Sequence, residues 1–307
     1  MNKVVVTGGA GFIGSNLVKK LVEKNFKVIV IDNLYSGKYS NLESVKDNIY
    51  FFEKDICDDL SFLNELGQIS GIFHLAAIPS VNFSLENPIE VNRVNVEGTI
   101  NLLEFCKKNN VKTFVYSASS AAYGERQGKN SEQDLPYPIS PYGVSKLTGE
   151  YYVKAYSTLY DINGICLRYF NVFGPGQSPD SEYAAVIPKF IFSAVNNSEL
   201  KVFGDGEQTR DFTFVGDIVN ANIKAYEKNE NIGTINIATG KSVSLNSLIE
   251  EISKIKGENL NVKYLPERAG DIKFSQADVN LSFEKIGFKA EYKFAYGIEK
   301  TYRWFCA

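Results

Sequence analysis

The sequence predicts an α/β fold: a doubly wound parallel sheet covered by helices on both faces, with a smaller α/β unit after it. Three observations predict it. Short apolar strands alternate with amphipathic helices through the first half of the chain. A glycine-rich turn joins the first strand to the first helix. A cluster of breakers, Gly174-Pro175-Gly176-Gln177-Ser178-Pro179, separates a second half of different character.

The elements follow in order. Val4-Val5-Val6 reads as the first strand, and Phe12 to Val22 has helical spacing with Ile13, Leu17 and Leu21 on one face. Strands follow at Lys27–Ile31 and Ile49–Phe52, then a polar helix after Asp58 and a strand at Gly71–Leu75. One long helix is expected from Pro88 to Lys108, with proline in its first turn, where a missing N–H costs nothing. A strand at Val111–Ser117, a helix at Pro141–Leu159 and a strand at Ile162–Leu167 complete the βαβ series. Beyond the breakers the reading gives helices at Ala185–Val195 and Asp217–Tyr226, one capped near Ser244, and a last amphipathic helix at Tyr296–Phe305. Strands fall at Leu200–Phe203, Asp211–Phe214 and Thr234–Ile237.

Length and composition narrow the class. At 307 residues, the chain suggests two cores or one large core with an appendage. A net charge of -3 argues against a general nucleic-acid binder. The four cysteines (Cys57, Cys106, Cys166, Cys306) are scattered, with no CxxC pair, and read as reduced apolar side chains rather than metal ligands. The chain enters a strand at once, and no apolar run reaches the roughly 18 residues of a membrane span. A cytoplasmic protein is the expectation.

Thr7-Gly8-Gly9-Ala10-Gly11-Phe12-Ile13-Gly14 lies between the first strand and first helix. Glycines there permit a tight turn and let backbone N–H groups approach a pyrophosphate at the helix N-terminus. Asp32 ends the second strand, where a carboxylate accepts from a ribose 2′-hydroxyl and repels a 2′-phosphate. Asn33-Leu34-Tyr35-Ser36-Gly37 follows it without an arginine, so the Rossmann-type reading favours NAD over NADP. Asp55-Ile56 after the third strand either holds the adenine edge or is an ordinary strand end.

Tyr142-Gly143-Val144-Ser145-Lys146 opens a helix, and residues four apart share a face. Tyr142 and Lys146 therefore point into one cleft. An ammonium and the positive nicotinamide of bound NAD would lower the pKa of the phenol from about 10 towards that of a useful base. A packed aromatic beside a surface lysine is the plainer alternative. Ser119, in the loop leaving the fifth strand, can share a hydrogen bond with the oxygen that Tyr142 attacks, or can simply serve the turn. His74, the only histidine, lacks a partner motif and reads as structural.

TGGAGFIGS, Asp32, HLAA, Asn95-Val96-Glu97-Gly98-Thr99, the Ser119 loop and YGVSK resemble the extended short-chain dehydrogenase/reductase family, in particular its UDP-sugar 4-epimerases. Arg168-Tyr169-Phe170-Asn171-Val172-Phe173-Gly174-Pro175, Phe203-Gly204-Asp205-Gly206, Arg210-Asp211-Phe212 and Pro266-Glu267-Arg268-Ala269-Gly270-Asp271 extend the likeness across the chain. The resemblance implies an NAD domain over 1–173, with segments near 205–240 returning to it, and a nucleotide-sugar domain over 174–307. It implies Ser119, Tyr142 and Lys146 as the catalytic set. Cofactor contacts are implied at Gly8, Gly11, Phe12, Ile13, Asp32, Asn33, Ser36, Gly37, Asp55 and Ile56. They continue through Leu75, Ala76, Ala77, Asn95, Ser117, Tyr142, Lys146 and Tyr169. Substrate contacts are implied at Val81, Ser119, Asn171, Ala185, Val186, Lys201, Phe203, Arg210, Arg268, Asp271 and Ser275. Planar arginines suit bidentate phosphate contacts, although each alone reads equally as a loop ion pair.

The same resemblance separates reactions. The family's 4,6-dehydratases carry an Asp-Glu pair just after the Ser119 position, and its sugar-acid decarboxylases a Glu at the second position. Here those residues are Ser120 and Ala121. Elimination lacks its acid and base, so the resemblance implies epimerisation over lyase chemistry. A small residue at Ser275, where a bulky tyrosine restricts the pocket, implies room for an N-acetyl group, unless Ser275 is merely a loop serine. A homodimer pairing the helices at Pro88–Lys108 and Pro141–Leu159 is also implied. Ile100, Leu103 and Leu147 could serve it or could face the sheet. Rival classes are a net nucleotide-sugar oxidoreductase and a non-enzymatic NAD-binding protein.

Overall fold

The computed structural model describes residues 2–126, 128–179, 185–267 and 273–307. Its first half runs β1 (Lys3–Thr7), α1 (Phe12–Glu23), β2 (Lys27–Asp32), β3 (Ile49–Glu53), β4 (Gly71–His74), α2 (Val81–Glu86), α3 (Pro88–Asn92), α4 (Gly98–Asn109), β5 (Thr113–Ser119), α5 (Pro141–Leu159) and β6 (Asn163–Tyr169). The second half runs β7 (Val172–Phe173), α6 (Val186–Val195), β8 (Leu200–Phe203), β9 (Thr209–Arg210), β10 (Thr213–Phe214), α7 (Val215–Lys228), β11 (Gly233–Ile237), β12 (Val243–Ser244), α8 (Leu245–Lys256), β13 (Val262–Leu265), α9 (Asn280–Ile286) and α10 (Phe294–Cys306).

Neighbouring residues of a strand point to opposite faces, and here both faces are covered. Val4 and Val6 enter one core and Val5 the other; Val28 and Val30 part from Ile29 and Ile31 in the same way. All are fully buried. Each such side chain contributes about 1.5–3 kcal/mol on leaving water. The first core is closed by Leu17, Val18 and Leu21 of α1 and by Ile218 to Tyr226 of α7. The second is closed by Leu102, Leu103, Phe105 and Cys106 of α4 and Val153 of α5.

The seven strands of the main sheet lie in the order β3-β2-β1-β4-β5-β6-β11, all parallel. This is the doubly wound Rossmann-type sheet read from the sequence. The order reverses between β1 and β4, so a crevice opens where their carboxyl ends part. β11 returns to the sheet beside β6. Phe173, Ile187, Phe190, Ile191, Val202, Leu248 and Ile298 form a further core beneath α6, α8 and α10. The pairs β7·β10, β9·β12 and β8·β13 are small two-stranded ladders beside it.

Four expectations change. The Pro88–Lys108 helix is broken into α3, a π-helical turn at Arg93–Glu97 and α4. The turn carries Asn95, whose amide reaches inward to Ile78 and Ser145. The helix after Asp58 is a 3-10 stretch, Ser61–Leu66. The single strand at Asp211–Phe214 is instead split between β9 and β10, because Asp211 turns its carboxylate into the interior. Leu103 is fully buried in the second core and is therefore not an interface residue. α2, β13 and α9 had no strong periodic signal and were not anticipated.

Candidate active site

The candidate residues gather at the carboxyl edge of β1, β2, β4, β5 and β6. The turn after β1 is built from steric necessity. Gly8 has φ +68, and a Cβ there would lie 2.7 Å from Ala76 N; one at Gly14 would lie 2.0 Å from Gly8 O. Gly11 differs, since a Cβ would meet only Gly8 O, at 3.2 Å. A Cβ at Gly11 would press on Gly8 O and meet nothing else, so its outer side faces open space. Gly11 is the N-cap of α1 with no side-chain cap, and the first turn holds no acid. The N–H groups at Phe12 and Ile13 thus begin a helix dipole aimed at the crevice.

Asp32 is buried at the end of β2 and accepts from Ala10 N (2.9 Å) and Leu34 N (2.9 Å). Burial raises its pKa, and these backbone bonds oppose the rise. Each oxygen keeps a further lone pair for a hydroxyl donor. Asn33 donates to Asp55 at 3.1 Å, tying the ends of β2 and β3 together. Burial pushes the Asp55 carboxyl up, but bonds from Cys57 and Asn33 and the nearby Arg93 outweigh it and leave the pKa lowered. Ile56 is buried in the second core. Ser36 is exposed, and Gly37 packs on Ala10, where a Cβ would come within 2.8 Å of its carbonyl carbon. The cradle therefore fits a dinucleotide: an uncapped helix start, a clearance at Gly11 and a carboxylate at the ribose position.

Leu75, Ala76 and Ala77 line the end of β4, pinned by Thr7 Oγ1, which accepts from Leu75 N and Ala76 N (both 3.2 Å). Thr7 also meets His74 Nδ1 at 2.8 Å, and Thr99 meets its Nε2 at 2.9 Å. His74 lies beside the rings of Phe114 and Tyr116, and burial, with the Lys146 charge, drops its pKa well below the usual value. It is a neutral strut, as its lack of a partner motif suggested.

Ser119 ends β5, opposite Tyr169 of β6. Its Oγ accepts from Ala121 N at 3.2 Å and lies on the side of the Tyr142 phenol, where it favours the ionised form. Tyr142 is partly buried on the first turn of α5, which Ser140 caps by accepting from Gly143 N. Burial raises the Tyr142 pKa, and the nearby Ser119 hydroxyl offsets part of the rise. The lowering expected from Lys146 is thus not found in the chain itself. The ammonium instead lies 4.5 Å from the centre of the Tyr116 ring. Burial lowers Lys146 to about 8, against the opposing pull of Glu150.

Glu150, one turn beyond Lys146, takes a bidentate pair from Arg168 (2.9 and 2.7 Å), and Arg168 covers the Tyr123 ring at 4.5 Å. On the other face of β6, Tyr169 OH joins Ser117 Oγ (3.1 Å) and Asn222. Asn95, expected as a cofactor contact, has its amide tied to Ile78 and Ser145. Sequence reading did not single out Thr7, Ser84, Tyr116, Glu150 or Asn222, whose partners lie far along the chain.

The expected substrate residues lie on several elements. Val81 is exposed at the start of α2; Ala185 is the exposed N-cap of α6, followed by half-buried Val186. Lys201 is exposed and Phe203 half-buried on β8. Arg210, on β9, donates to Thr209 O at 2.9 Å. Ser275 N donates to Thr209 O at 3.1 Å, so Ser275 and Arg210 are neighbours despite their separation in sequence. Asn171, at φ 33, donates to Asp211 O at 3.2 Å. Buried Asp211 is the hub: it accepts from Thr239 N and Gly240 N (both 2.9 Å), Thr239 Oγ1 (2.6 Å) and Ala277 N (3.3 Å). Arg268 and Asp271 lie outside the described residues.

This arrangement defines a dinucleotide-binding redox scaffold with a tyrosine, serine and lysine at its edge, and comparison with known proteins agrees. Residues 4–238 match the model of the NAD dependent epimerase/dehydratase family. A putative UDP-glucose 4-epimerase of Methanocaldococcus jannaschii is 39% identical over 98% of this chain and 97% of its own. A UDP-N-acetylglucosamine 4-epimerase of Methanobrevibacter ruminantium, solved with UDP-N-acetylmuramic acid, is 43% identical with TM-score 0.95, covering 99% of this chain and 98% of that one. The UDP-glucose 4-epimerase of Thermotoga maritima, solved with UDP-glucose, is 38% identical with TM-score 0.93 over the same shares, 99% and 98%. The chain belongs to the NAD dependent epimerase/dehydratase family, and the likeness to UDP-sugar 4-epimerases read from its motifs holds over its whole length. Among the described residues, no helix is long and apolar enough to cross a membrane.

Proposed function

We propose that this chain is a UDP-sugar 4-epimerase that interconverts UDP-GlcNAc and UDP-GalNAc, and also UDP-Glc and UDP-Gal, with NAD retained throughout. The observation that carries the reading is the placement of Ser119 at the end of β5 beside Tyr142 and Lys146 at the start of α5, with no carboxylate at 120 or 121. Ser120 and Ala121 there form only a short 3-10 turn.

The start of α1 and Asp32 would hold the dinucleotide, and bound NAD supplies a hydride acceptor and donor with no net redox change over the cycle. Tyr142 takes the proton from the sugar O4, and Ser119 shares that hydrogen bond. The phenol is held high in the chain alone, so its lowering would come from the charge of a bound cationic nicotinamide. Lys146 would hold the nicotinamide ribose. The 4-keto sugar turns about its link to the diphosphate, exposes its other face, and C4 is inverted. This needs a firm grip on UDP and a loose one on the hexose. Arg210, Arg268, Asp271 and Phe203 are assigned to that grip.

In this reading the sheet half, with β11 returned to it, carries the cofactor, and the third core carries the sugar nucleotide. A homodimer through α2, α3 and α5 is supported by Leu85, Ile89, Val144 and Tyr151, apolar side chains exposed on those helices.

The test is incubation with UDP-GalNAc and no added nicotinamide cofactor. UDP-GlcNAc should form without lasting change in nicotinamide absorbance; a stoichiometric, lasting change marks a net oxidoreductase and refutes the reading. Ser275→Tyr should depress turnover of the acetylated pair about tenfold or more relative to UDP-Glc and UDP-Gal. Equal loss on both pairs removes Ser275 as the gate.

A further inference from the structure

Tyr142 is held by its main chain. Its N–H, at the start of a helix where no internal acceptor exists, donates to Ser84 Oγ at 3.0 Å. Ser84 is fully buried on α2, and its own proton goes to Val81 O at 2.5 Å. The Tyr142 carbonyl accepts from Ser145 Oγ at 2.8 Å, and Ser145 Oγ accepts from Asn95 Nδ2 at 3.0 Å. Asn95 closes on Ile78 through both ends of its amide, at 2.8 and 3.2 Å. Both polar groups of this one residue are therefore tied to the single segment 78–97. The ordinary cap of α5 is already supplied by Ser140 at Gly143 N, 3.1 Å. Ser84 adds a bond to Tyr142 alone.

We propose that Ser84 is a positioning residue for the reaction, fixing the Tyr142 main chain and through it the approach of the phenol to Ser119 and the sugar hydroxyl. The Asn95–Ser145 relay is the second point of the same clamp. The inference rests on Tyr142 being the proton-transfer group. A misplaced acid–base group loses rate in the chemical step rather than in binding.

The test compares Ser84→Ala, Ser84→Cys and Ser84→Thr in the purified NAD-bound enzyme. Cysteine offers a weak acceptor at nearly the same volume and serves where the alanine chain does not fold. Both should lower kcat about tenfold or more, with KM and bound NAD unchanged, and threonine should restore the rate. Amide exchange at Tyr142 should quicken about tenfold in the alanine and cysteine chains, because the N–H loses its acceptor in the first and keeps only a weak one in the second. Unchanged kcat overturns the proposal. So does a parallel fall in kcat, substrate affinity and thermal midpoint that threonine fails to rescue. A wild-type chain that converts no UDP-sugar refutes the reaction itself. Unchanged exchange at Tyr142 refutes the clamp in either case.

Discussion

The two halves of the site are made by different means. At the edge of the main sheet, position follows from dense packing: glycines whose Cβ would strike backbone, strands buried on both faces, and a neutral histidine between two threonines. On the other side, Arg210 and Ser275 sit on two-residue ladders and loops gathered around one carboxylate, Asp211. The first region is over-determined and suits a cofactor that stays. The second, among the described residues, is organised around the hydrogen bonds of Asp211. Damage to the first should remove chemistry or cofactor, whereas damage to the second should act on substrate binding.

The largest expected effect is at the shared edge. Tyr142→Phe should lower kcat by about 10³-fold while NAD content and thermal midpoint stay near wild type. Product analysis with a cofactor assay checks it, and near-normal turnover would remove the phenol from the mechanism. Next comes Asp211→Ala. Three backbone N–H groups and a hydroxyl lose their acceptor, at a cost of about 3 kcal/mol in stability. KM for the UDP-sugar should rise far more than kcat falls. A pure kcat loss would show that the two regions are not separable in this way.

Lys146 supplies a pH test. Its folded pKa of about 8 lies below the ordinary 10.5, so the unfolded chain binds more protons between those values. The cost of burying its charge is full below about 8, and stability from this group rises between about 8 and 10.5. Lys146→Met should therefore gain relative stability at neutral pH, by up to ~3 kcal/mol, and lose that advantage as pH rises. Denaturant titrations across the alkaline range measure it; a pH-independent difference contradicts the buried ammonium.

The smallest effects compare two glycines of one turn. Gly14→Ala forces Cβ onto Gly8 O and should cost about 1–3 kcal/mol of stability. Gly11→Ala should leave the thermal midpoint nearly unchanged and weaken NAD retention. If both variants behave alike, Gly11 is a packing residue after all.

Much of the first region was legible because its signals are local. The glycine turn, Asp32 at a strand end and the four-residue spacing of Tyr142 and Lys146 each follow from helix and strand periods. Its supports were not legible. Ser84 to Tyr142 and Thr7 to His74 join residues 58 and 67 apart, and no sequence period encodes such pairs. The Asn95 motif was visible in the sequence, whereas its partners Ile78 and Ser145 were not. The split at Asp211 was missed because alternating residues read as one strand, whereas buried donors from Thr239, Gly240 and Ala277 pull the carboxylate inward.

By itself, the sequence determined the parallel sheet, its covering helices and the chemical types placed at its edge. Periodicity and turn chemistry act within a few residues, and hydrophobic burial enforces them without knowledge of distant partners. Only the tertiary structure decided where each proton and charge rests: burial holding Tyr142 up and Lys146 down, Lys146 over Tyr116, and Glu150 locked to Arg168. Those outcomes depend on desolvation and on the distance between groups, and both exist only once separate segments have packed together.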